Sequence, residues 1–413
     1  MIRLSGYFYQ FTGMHAFLTG LIPFYLPVIL WRETGSLALI SGFISLSGVG
    51  FLACLMLWEN IRNSRYSKMV IAGSFMAEAV LISLLVSEEL TMGIGVWGAS
   101  VLALINGAYG CFYWLTLRAL FIKQPKDGRE QKTGNRFGNF QLVVGILLKI
   151  GILVGAFLLE AKLDIWLVLL TLATAGVGIT NVFSSRNHDS IAFSLSGSAV
   201  SFKQIARFNP GNFSRSVFFL DGLFLFLESY FWVLSLYVLS NQSFSRLGVI
   251  VVGLAVILSL LFLAIKRHID AADSRRVFIL AVGLYSLSWV LRGFADEGMT
   301  STTLSVFIIS IAFMTSFFRL AFNKLFFDRI EPEQAQLFIL AKSWFTQTGV
   351  TVFFGVLALV FWAQGSHPDV IKYVYWISAL LAIPYLFYIR QTFSLFGLRI
   401  PFLQLNAFTG KQQ

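Results

Sequence analysis

Asp221 and Glu228 stand seven residues apart in a stretch that is otherwise almost wholly apolar. On a helix that spacing is nearly two turns, so both carboxylates fall on one face, about 10 Å apart along the axis at 1.5 Å per residue. Two acids so placed suit a site for a solute or a proton, unless Asp221, near the end of its run, merely meets a loop base. His15, Glu78, Arg118, Lys149, Arg319 and Lys342 are the other ionisable residues set inside long apolar runs. An imidazole titrates near neutrality and serves as a proton relay. A guanidinium holds an oxyanion through parallel hydrogen bonds or anchors an ion pair between helices, and Arg319 fits either use. Lys149 lies too deep in its run for its ammonium to snorkel easily, so Glu78 or Glu228 is its expected partner unless it acts in transport. Glu78 reads as half of a structural pair. Arg118 and Lys342, nearer the ends of their runs, read as snorkelling side chains.

Other chemistries find little support. Metal and redox centres need His, Cys and carboxylates clustered at ligand spacing, and the chain has only 4 His and 2 Cys. Cys54 and Cys111 both fall in apolar runs and read as packing residues. No phosphate-cradling glycine loop is present. The expectation is a protein that is not an enzyme and carries no cofactor or metal.

The surroundings explain why these few charges matter. Of 413 residues 57% are hydrophobic and 12% charged, against about 25% charged in a soluble domain, and the mean hydropathy is +0.76. Apolar runs recur at roughly the 20-residue length that crosses a bilayer core. With no water to serve the backbone there, such runs must be helices. A charge at a helix centre costs about 2.5–3.5 kcal/mol on insertion scales, so it faces a cavity or a partner.

Twelve spans are expected, near 9–30, 36–58, 69–87, 92–121, 138–159, 163–183, 214–239, 245–265, 276–295, 301–327, 336–362 and 370–389. Pro23 and Pro27 should kink the first. The net charge of +11 sits in the loops between spans, which argues for membrane orientation and against nucleic acid. With the N-terminus inside, the inside loops hold 18 Lys and Arg and the outside loops 5, namely Arg32, Lys162, Arg246, Arg292 and Lys372. That bias predicts both termini in the cytoplasm. Met1-Ile2-Arg3-Leu4 leads straight into apolar sequence with no small-residue cleavage site, so the first span is expected to be retained.

The organisation is a six-helix half over 1–183, a central cytoplasmic loop over 184–213, a second six-helix half over 214–389 and a cytoplasmic tail over 390–413. In the central loop, Val200 to Phe208 fits a short amphipathic helix lying on the membrane surface, or a solvated linker. The halves repeat. Phe112-Tyr113-Trp114-Leu115 precedes Phe317-Phe318-Arg319-Leu320 by 205 residues, Gly145 and Gly151 precede Gly349 and Gly355 by 204, and the Asn63 to Val70 turn precedes Asp270 to Val277 by 207. His15 precedes Asp221 by 206, which suggests equivalent places in the two halves. Repeats of this kind are typical of secondary transporters. Gly151-Ile152-Leu153-Val154-Gly155 reads as a close-packing surface between helices.

In this organisation the chain resembles the major facilitator superfamily over nearly its whole length. The family's marker after span two is Gly-x-x-x-Asp-Arg-x-Gly-Arg-Arg. Asn63-Ser64-Arg65-Tyr66-Ser67-Lys68 keeps its basic end, and Asp270-Ala271-Ala272-Asp273-Ser274-Arg275-Arg276 is a closer copy. The resemblance implies an all-α integral membrane protein in which spans one, four, seven and ten line a central cavity. His15, Lys149, Asp221, Glu228 and Arg319 then form the expected solute or proton site, with Trp114 and Asn323 as cavity lining. The expected function is proton-coupled transport of a small solute by alternating access, by a monomer in a bacterial inner membrane. A uniporter or anion exchanger without proton coupling, or a sensor or assembly protein on the same fold, are the alternatives.

Overall fold

The computed structural model describes residues 2–64, 66–86, 96–122, 133–183, 199–211, 213–271, 274–296, 298–331, 333–365 and 370–389. The expected tail over 390–413 and most of the central loop lie outside them. Every regular element among the described residues is helical. Eleven helices are long and apolar enough to cross a membrane, and a bent pair makes up a twelfth span. The protein is a multi-pass membrane protein with two six-helix halves.

Span one is Ile2–Leu21, a short 3-10 turn at Pro23–Tyr25, and Leu26–Thr34. It bends by 41° at the break. Proline supplies no amide to the ladder and its ring crowds the preceding turn, so the expected kink falls at Pro23. Span two is Leu37–Arg62, three Met69–Val86, four Val96–Ile122, five Thr133–Glu160 and six Asp164–Phe183. Span seven, Ser214–Leu239, is α-helical except for a π turn at Leu227–Phe231. Spans eight to eleven are Phe244–Ala271, Ser274–Phe294, Ser301–Asp328 and Ala335–Gln364. Span twelve joins Val370–Leu381 to a 3-10 segment at Ile383–Ile389.

Within each half the same pairs pack: one on five and seven on eleven, three on six and nine on twelve, four on three and ten on nine. Glycines set the first of these crossings, because they let backbones touch. A Cβ at Gly151 would lie 2.2 Å from the Phe17 carbonyl oxygen, and one at Gly20 would lie 2.4 Å from that of Leu148. The second half repeats the lock, with Gly349 at 2.0 Å from the Phe219 oxygen and Gly222 at 2.2 Å from that of Thr346. This corrects the sequence alignment of the repeat. Gly151 matches Gly349 rather than Gly355, and Gly20 matches Gly222. By that register the mate of Asp221 is Thr19, one turn beyond His15.

The halves meet along spans two and eleven and along five and eight. They touch near both ends. At the end that carries the basic loops, Glu59 of span two accepts from the Val200 amide at 3.1 Å and from Gln336 Nε2 at 3.4 Å. Phe121 and Phe327 meet across the seam with tilted rings 5.1 Å apart. At the opposite end the Glu160 carboxylate accepts from the Phe244 amide at 2.9 Å, capping span eight from the other half. The linker segment is a helix at Phe202–Arg207, opened by a Ser201–Gln204 capping box. Its Ile205 is fully buried, and Phe202 meets the Trp344 ring edge-on at 4.8 Å. It therefore docks on span eleven, where the sequence suggested a membrane-surface helix or a solvated linker.

Candidate functional site

Span seven carries Asp221 in its α-helical part and Glu228 inside its π turn. A π turn holds an extra residue and re-aims the side chains around it. Both acids converge on one guanidinium. Arg319 of span ten sets Nε and one terminal nitrogen on the two Glu228 oxygens at 3.0 Å each, and its other terminal nitrogen on Asp221 Oδ1 at 2.6 Å. Three of five guanidinium donors are thus used in charge-assisted bonds, the strong class. Tyr385 donates to Asp221 Oδ1 at 3.0 Å, and Tyr285 donates to Glu228. Lys342 of span eleven lies 3.4 Å from Asp221 Oδ2. Asp221 is 1% exposed, whereas Arg319 and Glu228 each keep 17% of their side-chain surface open. The predicted shared face of Asp221 and Glu228 is therefore real, and of the two uses expected for Arg319 this structure displays the ion pair.

His15 belongs to a different cluster. Its Nδ1 lies 2.6 Å from Glu78 Oε2 and its Nε2 2.9 Å from Ser74 Oγ, both on span three. Thr19 donates to Glu78 Oε1 at 3.3 Å and shares a hydrogen bond with the Tyr109 hydroxyl at 2.9 Å. The imidazole stacks on Phe75 at 4.0 Å and is tilted on Tyr113 at 4.6 Å. His15 and Glu78 both have zero exposed side-chain surface. Glu78 is half of a buried pair, and its partner is His15.

The sequence-predicted residues thus divide. Asp221, Glu228 and Arg319 come together, His15 bonds elsewhere, and Lys149 joins neither group. Lys149 has no ion pair or hydrogen bond among the described residues, and its expected partners are taken by His15 and Arg319. Its ammonium folds back along span five, 3.3 Å from where a Gly145 Cβ would stand. Trp114 is 45% exposed, with the Arg118 guanidinium 6.0 Å from its ring. Asn323 is half-buried on span ten.

Several residues that sequence reasoning set aside make specific contacts among the helices. Lys342 was expected to snorkel and is instead 6% exposed and paired with Asp221. Arg118 reaches across the seam to Ser343 Oγ at 2.8 Å. Arg292, counted among outside-loop bases, is 2% exposed and lies over the Trp289 ring at 4.0 Å. Arg62, counted among inside-loop bases, is buried against Glu59 at 2.7 Å. Tyr285 and Tyr385 carried no charge to draw attention, yet Tyr285 follows Glu78 by 207 residues, within the repeat offset already visible. Among the described residues no group of three His, Cys, Asp or Glu side chains gathers into a metal-holding set.

No protein-family model matches the sequence, and no curated protein sequence matches it. Solved structures do match the fold. The nucleoside transporter NupG shares 13% identity at a TM-score of 0.56, covering 92% of this chain and 99% of its own. The human organic anion transporter MFSD10 shares 15% at 0.58, covering 93% and 99%. A POT family transporter in complex with a thioalcohol-conjugated peptide shares 11% at 0.60, covering 92% and 95%. The chain has the two-half helical fold of major facilitator transporters, as its sequence led one to expect.

Proposed function

We propose that this protein is a secondary transporter that moves a small solute across the bilayer by rocking its two halves about the seam. The observation that carries the reading is the bridge of charge at that seam. Arg118 of the first half rests on Ser343 of the second, beside the Lys342–Asp221 pair and the Arg319 fork. Ionisable groups at bilayer depth are costly and mark solute and ion paths. The fold likeness to transporters of nucleosides, organic anions and peptides supports the same reading. The loop charges support an inside N-terminus and a place in a cytoplasmic membrane.

Transport is driven by protons in this reading, and the proton is carried at His15–Glu78. Asp221 and Glu228, favoured from sequence, are each already engaged by Arg319 in an ion pair. A His–carboxylate pair sealed from water can instead hold or release a proton through the Thr19–Tyr109 hydroxyls. The test is reconstitution. A solute found by a ligand-panel stability screen should show saturable counterflow in proteoliposomes, and accumulation when a pH gradient is imposed. Glu78→Gln should keep counterflow and lose accumulation. Absence of saturable counterflow for every stabilising solute would sink the transport reading, and unchanged accumulation in Glu78→Gln would sink the coupling.

A further inference from the structure

Four cations gather about two carboxylates in and beside the second half. Arg319 and Lys342 hold Asp221, and Arg319 also holds Glu228. Arg118 and Arg292 have no carboxylate within ion-pair reach among the described residues. Arg118 rests on the Ser343 hydroxyl at 2.8 Å and near the Trp114 ring. Arg292 uses the hydroxyls of Ser288 at 3.0 Å and Thr315 at 2.8 Å, and its buried Nε has no hydrogen-bond partner. Thr315 is one turn from Arg319 on span ten, so the Arg292 and Arg319 side chains follow one another along that helix.

Hydroxyls and aromatic rings solvate a cation but do not neutralise it. Arginine keeps its proton in proteins, so the surplus positive charge cannot be shed by deprotonating Arg118 or Arg292. An uncompensated charge in a low-dielectric interior is expensive, and such residues persist at membrane depth where a mobile partner uses them.

We infer that the missing negative charge belongs to the solute: the site takes a small organic anion, its carboxylate or phosphate oxygens held between Arg118 of span four and Lys342 of span eleven. The inference rests on the transport reading above and adds the class of solute. The two cations come from opposite halves, and Arg118 spends one of its five donors on a neutral hydroxyl that an oxyanion outcompetes. An anion there is gripped from both sides of the seam, so its arrival draws the halves together. Arg292 stays inside the second half, where its charge deepens the attractive field without touching the solute.

The test is thermal unfolding of the purified protein at fixed ionic strength, since salt screens exposed charge. The probes are benzene-1,3-dicarboxylate, phenyl phosphate and, as a neutral shape match, benzene-1,3-dicarboxamide. At least one anion should raise the melting temperature with concentration, as ligand linkage requires, and the diamide should not. Which anion acts tells carboxylate from phosphate. Arg118→Gln should raise the concentration for half the shift by about tenfold or more, the loss of a charge-assisted bond. Ser343→Asp places a carboxylate within reach of Arg118, so it should melt no lower than the native protein and bind neither anion. If that variant does not fold, Arg118→Gln decides alone. An equal shift from the diamide, no shift from either anion, or unaltered anion binding in the variants overturns the inference. Anion binding without counterflow would uphold the site and remove the transport reading, whereas counterflow of a neutral solute without an anion shift would do the reverse.

Discussion

The two halves share a helix-packing plan, but spans one and three pair their ionisable groups differently from spans seven and ten. In the first half, one imidazole and one carboxylate meet inside a sealed pocket of Phe75, Tyr113 and hydroxyls. The two side chains meet directly at 2.6 Å, with Ser74 and Thr19 completing their hydrogen bonds. In the second half a guanidinium that cannot be neutralised binds two acids, and part of the cluster stays open. The guanidinium charge is permanent and must be balanced by the acids or by something that arrives. A repeated scaffold can therefore carry a His–carboxylate pair on spans one and three and an arginine fork on spans seven and ten, while the glycine locks at Gly20–Gly151 and Gly222–Gly349 stay the same.

The sharpest way to break that contrast is Arg319→Gln. It strands Asp221 and Glu228 without their fork, and loss of one partner of a buried ion pair costs about 3–5 kcal/mol. The melting temperature should fall by the largest amount in the series, and solute counterflow should vanish. Adding Asp221→Asn and Glu228→Gln to it should recover much of the melting temperature but not the flux. A native-like melting curve for Arg319→Gln alone would erase the distinction between the halves.

Glu78→Gln should act more gently on stability, by about 1–3 kcal/mol, because a neutral amide keeps one oxygen to accept from the imidazole and turns its NH2 to the Thr19 hydroxyl, which can accept it. Its larger effect falls on coupling, as described above. If it instead cost as much as Arg319→Gln, the first-half pair would be a fixed ion pair like that of the second.

The shared scaffold makes the next prediction symmetric. Gly151→Ala and Gly349→Ala each press a methyl group onto a carbonyl of the crossing helix, an overpacking that costs about 1–3 kcal/mol. The two variants should lose similar stability in thermal melts, and unequal losses would show that only one crossing is locked. Lys149→Met sits at the small end. With no acid left behind, its stability should change by about 0.5 kcal/mol or less, and a large drop in the melting temperature would reveal a carboxylate partner for Lys149.

Much of the fold was legible. The twelve runs, their lengths, the bend at Pro23 and the shared face of Asp221 and Glu228 all follow from local rules of hydropathy, proline geometry and helical period. The site was legible in part. Inside apolar runs, any charge announces itself, which found His15, Asp221, Glu228 and Arg319. The same signal misjudged Lys342, Arg118 and Arg292, because depth read from the distance to a run's end says nothing about which neighbour covers the side chain. Tyr285 and Tyr385 were missed since a tyrosine in a span is common and carries no charge. The repeat offset, read from like residues, slipped by several positions for spans five and eleven, where the backbone contacts of Gly151 and Gly349 set the true register.

By itself the sequence determined that this chain crosses a membrane as helices in two related halves, because backbone hydrogen bonding in lipid is satisfied within each run. Only the tertiary structure decided which acid meets which base. His15 finds Glu78 across 63 residues of chain, Arg319 finds Asp221 across 98, and Tyr385 finds Asp221 across 164. Helical periodicity sets the face a side chain shows, but the partner on that face is chosen by how the helices pack.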